Sequence, residues 1–341
     1  MRRFGLICFA FVCSFVLFLA AQLARDCERI AWGAPEKAPF NLQLARPAMD
    51  SQGLYTVEAS QILPRWDVSF GLVLTYLNQP LSLAGNGDSL HVEHLMAGRL
   101  QGAVGLPASL ELGFGLPFVM LSGERVTAAI NEPTQLDAQG LSDVELSLKW
   151  RILDTSRNPV GLAAIVSGSF PIGDPGSFLG AGLPVVSARL VTDALLARRR
   201  LHLLANLGAR FEIGSHKLLQ NDPRCDGLDC STSATPQLEG SHHLLWGIGL
   251  GWQVVRSRLI TFVELRGQVG LKNPLSTSHL QSASEAAVGA KLYLASRSYL
   301  LLGVGRGLHF KSKNHQLGSP AIRAFAGFVF EPTVGDKDGD G

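Results

Sequence analysis

Val144-Glu145-Leu146-Ser147-Leu148-Lys149-Trp150-Arg151-Ile152 alternates without a slip. Val144, Leu146, Leu148, Trp150 and Ile152 fall on one side. Glu145, Ser147, Lys149 and Arg151 fall on the other. A period of two is that of a β-strand with one apolar and one polar face. The pattern recurs. Leu201, Leu203, Leu207, Phe211 and Ile213 oppose His202, Asn206, Arg210 and Glu212. Leu244, Trp246, Ile248, Leu250 and Trp252 oppose Gly247, Gly249, Gly251 and Gln253. Within Asp67 to Leu77, Val68, Phe70, Leu72, Leu74 and Tyr76 oppose Ser69, Gly71 and Thr75. Noisier versions lie near 91–105, 107–119, 158–170, 184–194, 258–270, 285–295, 299–308 and 320–330.

The twelve stretches are joined by links that run long, short, long, short. The short ones are Gly105 to Pro107, Asp154 to Asn158, Ala197 to Arg200, Arg256 to Ser257 and Ser296 to Ser298; the longest runs from Ser215 to Ser241. This spacing predicts an all-β fold: a closed antiparallel transmembrane β-barrel of about 12 strands. Its short turns would be periplasmic and its long loops extracellular. A secreted β-sandwich is the soluble alternative, with the apolar face as its core. Composition favours the barrel. Of 341 residues, 46% are apolar and 17% charged, against about a quarter charged in a soluble domain. Beyond the N-terminal region no apolar run is long enough for a spanning helix, so strands must carry the apolar content. A net charge of +2 gives no case for a nucleic-acid partner.

Arg2 and Arg3 followed by the apolar stretch Phe4 to Ala21 read as a secretory signal within residues 1–33. Cleavage after Ala21 and after Gly33 both fit. Arg25 and Asp26 precede Cys27 where a lipidation box needs small side chains. Residues 34–65 form a polar segment, either periplasmic or inside the lumen. Residues 66–331 are the expected barrel, and 332–341 an acidic tail. The expected location is the outer membrane of a Gram-negative-type bacterium, in contact with its lipid, with the C-terminus periplasmic.

The polar faces would place Glu93, Arg99, Glu111, Glu145, Lys149, Arg151, Arg189, Asp193, Arg210, Glu212, Glu264, Arg266, Glu285, Lys291 and Arg323 in the lumen. Such interspersed charges either line a solute path or neutralise one another as filling. Twelve strands lie between a filled interior and an open channel. Trp66, Trp150, Trp252 and Tyr299 fall at the periplasmic strand ends, where amphipathic rings favour the interface. Cys225 and Cys230 are spaced for a local disulfide in an oxidising compartment. Asp336, Asp338 and Asp340 begin the ligand pattern of a calcium loop. The later ligands are missing, so calcium would bind only in a longer chain, and no other cofactor is expected. Gly247, Gly249 and Gly251, like Gly303, Gly305 and Gly307, do not open a helix and so do not read as a phosphate loop. They read as small wall positions that let strands bend. Neither His-x-Ser nor Gly-x-Ser-x-Gly occurs; the expectation is a non-enzyme.

Several stretches resemble large proteins of the OmpA family. They are Phe40 to Gln43 with Arg46 to Ser51, Asp67 to Leu72, Leu141 to Val144 with Lys149 to Arg151, and Ser169 to Gly173. In that family, thrombospondin type 3 repeats and a peptidoglycan-binding domain follow the barrel, and Asp336 to Gly341 looks like the opening of a first repeat. The resemblance implies a membrane anchor linking the outer membrane to periplasmic domains, with peptidoglycan as partner through a domain that this sequence does not contain. The barrel also resembles twelve-stranded uptake channels for small hydrophobic compounds. A porin-like channel and a surface adhesin acting through the loops are the alternatives.

Overall fold

In the computed structural model the alternation becomes one continuous antiparallel sheet. Residues 45–85, 88–126, 133–174, 177–213, 242–256, 258–271, 282–294, 297–308, 315–317 and 319–332 are described. Among them are fourteen strands. They are β1 (Val68–Gly85), β2 (Asp88–Leu106), β3 (Leu110–Val126), β4 (Pro133–Leu141), β5 (Val144–Leu153), β6 (Gly161–Phe170) and β7 (Val185–Leu196). Then follow β8 (Leu201–Glu212), β9 (His243–Val255), β10 (Leu259–Gly270), β11 (Ser282–Tyr293), β12 (Tyr299–Gly307), β13 (His315–Leu317) and β14 (Ile322–Phe330).

Apart from β4 and β13, each strand pairs with the next along the chain, and β1 closes the ring by pairing with β14 from Phe70↔Phe330 to Asn78↔Ile322. Two of the walls are broken strands. β4 pairs the outer half of β3, from Phe118↔Leu141 to Val126↔Pro133, and β5 pairs the inner half, from Leu110↔Trp150 to Gly115↔Glu145. The break at Ser142 and Asp143 shifts the register by one residue, as a bulge does. β13 and β14 likewise share β1. Counted by position around the ring, the result is a closed 12-strand antiparallel barrel, the fold expected from the alternation.

The two faces separate as the period of two requires. Phe70, Leu72, Leu74, Leu146, Leu203, Leu207, Ile248, Leu250 and Trp252 all stand exposed on the outside. Ser69, Thr75, Glu145, Ser147, Lys149, Glu264 and Arg323 are buried on the inside. That is the inverse of a water-soluble protein, in which charged side chains are almost never buried. A closed ladder leaves no unpaired edge, the condition for strands in hydrocarbon.

The interior is filled from both ends. Residues 45–65 precede β1, enter beside the short turn between β2 and β3, and lie inside the barrel. Trp66 N donates to Gly105 O at 2.7 Å at the entry. Inside, Leu54, Tyr55, Val57 and Ala59 pack with Val73, Leu204, Phe262, Leu301, Phe325 and Val329 of the wall. At the long-loop end Phe178 and Leu179, from the link between β6 and β7, fold in over Leu77, Leu81, Leu95, Val119 and Leu121. Asp143 holds that link by accepting from Ala181 N at 2.7 Å. Of the two locations open to the 34–65 segment, its described part occupies the lumen.

Ile248 is 56% exposed in the middle of β9. Ile248→Arg is expected to destabilise the membrane-inserted barrel by about 2–4 kcal/mol. Urea-dependent folding into phospholipid vesicles would read this, and an unchanged midpoint would show that the face does not meet lipid.

Candidate functional site: a lumen closed by its own N-terminal segment

Residues 45–65 form no helix or strand. Their backbone groups therefore need partners, and some come from within. Ala48 N donates to Tyr55 O at 2.9 Å, and Leu54 N to Val57 O at 2.8 Å. The Asp50 carboxylate accepts from Gln52 N at 2.7 Å and Gly53 N at 3.1 Å, tightening a turn.

The wall supplies the others. Glu264 Oε1 accepts from Tyr55 N at 2.7 Å, Thr56 N at 3.1 Å and Val57 N at 3.2 Å. Its Oε2 takes the Thr56 hydroxyl at 2.9 Å. Successive amides converging on one carboxylate form an anion-binding nest, here with the anion on the barrel and the nest on the segment. Glu111 accepts from Leu63 N at 2.7 Å, and Asp193 from Ser60 N at 3.0 Å. Lys291 Nζ donates to Ser51 O at 3.0 Å, Gly53 O at 2.5 Å and the Tyr299 hydroxyl at 3.1 Å.

Charges also cross between segment and wall. Arg46 meets Glu145 at 3.0 Å, and Glu145 also holds Arg99 at 2.8 Å. Lys149 pairs with Asp50, and Glu58 lies 3.9 Å from Arg189. The Ser51 hydroxyl bonds to Glu331, just past β14. Burial pushes the Glu331 carboxyl above the usual carboxylate range, against the pull of Ser51 and Arg297. Tyr55 is the aromatic key. It stacks on Phe325 with centroids 3.7 Å apart and meets the Thr75 hydroxyl at 3.1 Å. The Arg266 guanidinium lies 5.2 Å above its ring.

The inward glycines of β9 explain the fit. A Cβ at Gly249 would stand 2.7 Å from Leu54 Cδ1, and one at Gly251 would stand 3.2 Å from Leu54 Cδ2. The wall is thinned to its backbone where the segment presses on it. At Gly249 and Gly251 the missing side chain makes room for Leu54. Gly303 and Gly305 serve wall side chains instead, lying under Phe325 and Glu285.

The expected lumen residues are distributed as follows. Arg99, Glu111, Glu145, Lys149, Asp193, Arg210, Glu264, Glu285, Lys291 and Arg323 are buried. Arg189, Glu212 and Arg266 are half-buried. Arg323 grips Glu285 through two bonds, 2.5 and 3.1 Å, and Arg266 reaches the same carboxylate at 3.0 Å. Arg210 holds Glu212 at 3.3 Å. Arg151 lies at the short-turn end against Asp154, at 3.4 Å. The Asp154 carboxyl in that turn is held below the usual range, chiefly by the Ser156 amide. Glu93 departs from the pattern. A register slip between Val92 and His94 puts Val92 in the buried position and leaves Glu93 exposed.

Trp66 and Trp252 are exposed and Trp150 half-buried. Tyr299 is corrected: it is 2% exposed and points inward. On β12 the outward phase belongs to Leu300 and Leu302, and Lys291 Nζ sits 4.2 Å over the Tyr299 ring. Cys225, Cys230, Asp336, Asp338 and Asp340 lie outside the described residues, as does the signal stretch.

Above the segment a cavity of about 130 Å³ remains, lined by polar side chains such as Arg189, Arg210 and Gln268 and by apolar ones such as Val57, Leu207 and Trp246.

This is the fold of the outer-membrane barrels. An outer membrane channel from Pseudomonas putida F1 matches with a TM-score of 0.52 and 17% identity, over 80% of this chain and 98% of that one. The NanC porin follows with a TM-score of 0.44 and 10% identity, over 79% and 100%. The KdgM porin has a TM-score of 0.42 and 8% identity, over 78% and 99%. No family model and no curated protein matches the chain. At these identities the likeness is one of fold.

Glu264→Ala would orphan three buried amides, each costing about 1–3 kcal/mol. In a background lacking the native cysteines, a cysteine replacing the buried Ala59 is expected to react with a water-soluble maleimide at least about tenfold faster once Glu264 is removed. Glu93→Ala should leave the rate unchanged. Equal rates in the Glu264 variant would show that the nest does not hold the segment.

Proposed function

We propose that this chain is an outer-membrane channel for small polar solutes, held closed by residues 45–63 of its own sequence. The supporting observation is the cavity left beside the segment, bordered by guanidiniums, amides and hydroxyls together with apolar side chains. The segment is attached to the wall by charge-assisted bonds, which water can replace, and by the apolar contacts of Leu54, Tyr55, Val57 and Ala59. Its withdrawal toward the short-turn end, where it enters, opens the lumen. The fold likeness to a protein described as an outer membrane channel is consistent with this reading.

A specific observation favours a second reading. The charges of segment and wall match closely enough to close the lumen for good, as expected of the barrel of an OmpA-like anchor. Its C-terminal continuation would then leave from the short-turn, periplasmic end and carry the link to peptidoglycan.

Single-channel recording in a planar bilayer separates the two. The intact chain is expected to stay closed with brief openings, and the chain lacking residues 45–63 to open steadily. Silence from both forms, shown to be folded, would overturn the channel reading and leave the anchor.

A further inference from the structure

The cavity beside the segment is lined unevenly. The wall of β6, β7 and β8 carries the hydroxyls of Ser167, Ser169 and Ser187 with the guanidiniums of Arg189 and Arg210, and Val185 stands among them opposite Ser169. Apolar surface also comes from Ala45 and Val57 of the segment and from Ala283 of β11. Arg189 and Arg210 belong to neighbouring strands, where Ser187 stands opposite Arg210 and Gly208 opposite Arg189. Gly208 gives the Arg189 stem its room: a Cβ there would come within 2.6 Å of Arg189 Cγ. The two guanidiniums are therefore diagonal neighbours across one ladder, within reach of a common ligand.

Their donors are not used up. Arg189 stands 3.9 Å from Glu58, beyond hydrogen-bond range. Arg210 meets Glu212 at 3.3 Å. The Nε of each is buried without a hydrogen-bond partner. Buried guanidinium donors are ordinarily paired. The carboxylates that also border the cavity are already spent. Glu145 is shared by Arg46 and Arg99, and Glu285 by Arg266 and Arg323.

We propose that this cavity is a subsite for a small organic carboxylate, whose head is taken by Arg189 and Arg210 and whose tail lies against Ala45 and Val57 of the segment. A guanidinium fork matches the two oxygens of a carboxylate. The apolar surface selects an organic anion over an inorganic one. Because Ala45, Arg46 and Val57 come from the closing segment, the subsite exists in full only while the segment is in place. The proposal rests on the channel reading for its place on a solute path, but its test does not.

Butyrate is the probe, titrated by calorimetry into the full-length barrel in detergent micelles, beside its neutral isostere butanamide and inorganic phosphate. Butyrate is expected to bind at least about tenfold more tightly than butanamide, and Arg189→Gln or Arg210→Gln to weaken it about tenfold, as loss of one charge-assisted bond implies. Butyrate no tighter than butanamide would overturn the site without recourse to any variant. So would equal butyrate affinity in both folded variants. Phosphate binding as tightly as butyrate would overturn the organic class. A barrel that never conducts yet binds butyrate selectively would sink the channel and keep the site. A barrel that conducts without selective binding would do the reverse.

Discussion

Closure of the ladder between β1 and β14 is the constraint from which the rest follows. In hydrocarbon no water is at hand for a free amide or carbonyl. Once the ring is closed, the pleat sends alternate side chains outward and inward with no third choice. The outward set must be apolar, and it is. The inward set is then free to be polar, and this chain has made it densely charged. Charges enclosed by a barrel still need partners, and twelve strands enclose too much space for wall pairs alone to fill. The N-terminal segment meets both needs: it brings Asp50, Glu58 and Arg46 to opposite charges, and its amides to Glu264, Glu111 and Asp193.

This changes how a charged lumen is to be read. Counting inward charges does not distinguish a pore from a packed interior, since the same Glu145 that could face a passing ion here holds two arginines. What matters is which donors remain. Among the described residues Arg99, Arg189, Arg210, Arg266 and Arg323 each keep a buried nitrogen without a hydrogen-bond partner, and of these Arg189, Arg210 and Arg266 line the cavity.

The barrel walls were legible because lipid enforces a strict period of two over each spanning stretch. Val144 to Ile152 and Leu244 to Gln253 both fall inside observed strands. Legibility stops where lipid stops. β4, Pro133 to Leu141, carries Gln135, Asp137 and Gln139 on its exposed face and so lacks the apolar alternation. The outer ends of β1, beyond Leu77, and of β2, from Asp88 to Leu90, lie outside the stretches that the alternation marks. Tyr299 misled because an aromatic at a strand end fits the interface equally well when it points inward onto a lysine. The segment was harder still. Its path depends on acceptors from strands spread around the ring, which no local pattern encodes. The one available sign was the inward glycine run Gly247, Gly249 and Gly251, whose missing side chains mark space reserved for a body other than the wall.

The seam between β1 and β14 joins the two ends of the barrel sequence, and the lumenal segment is continuous with β1. The strand that makes this seam is the one that carries the filling, so wall closure and interior packing fall on one stretch of chain. Placed directly before β1, the segment lets the pairing that seals the wall also fix the position of the charges that neutralise the inside.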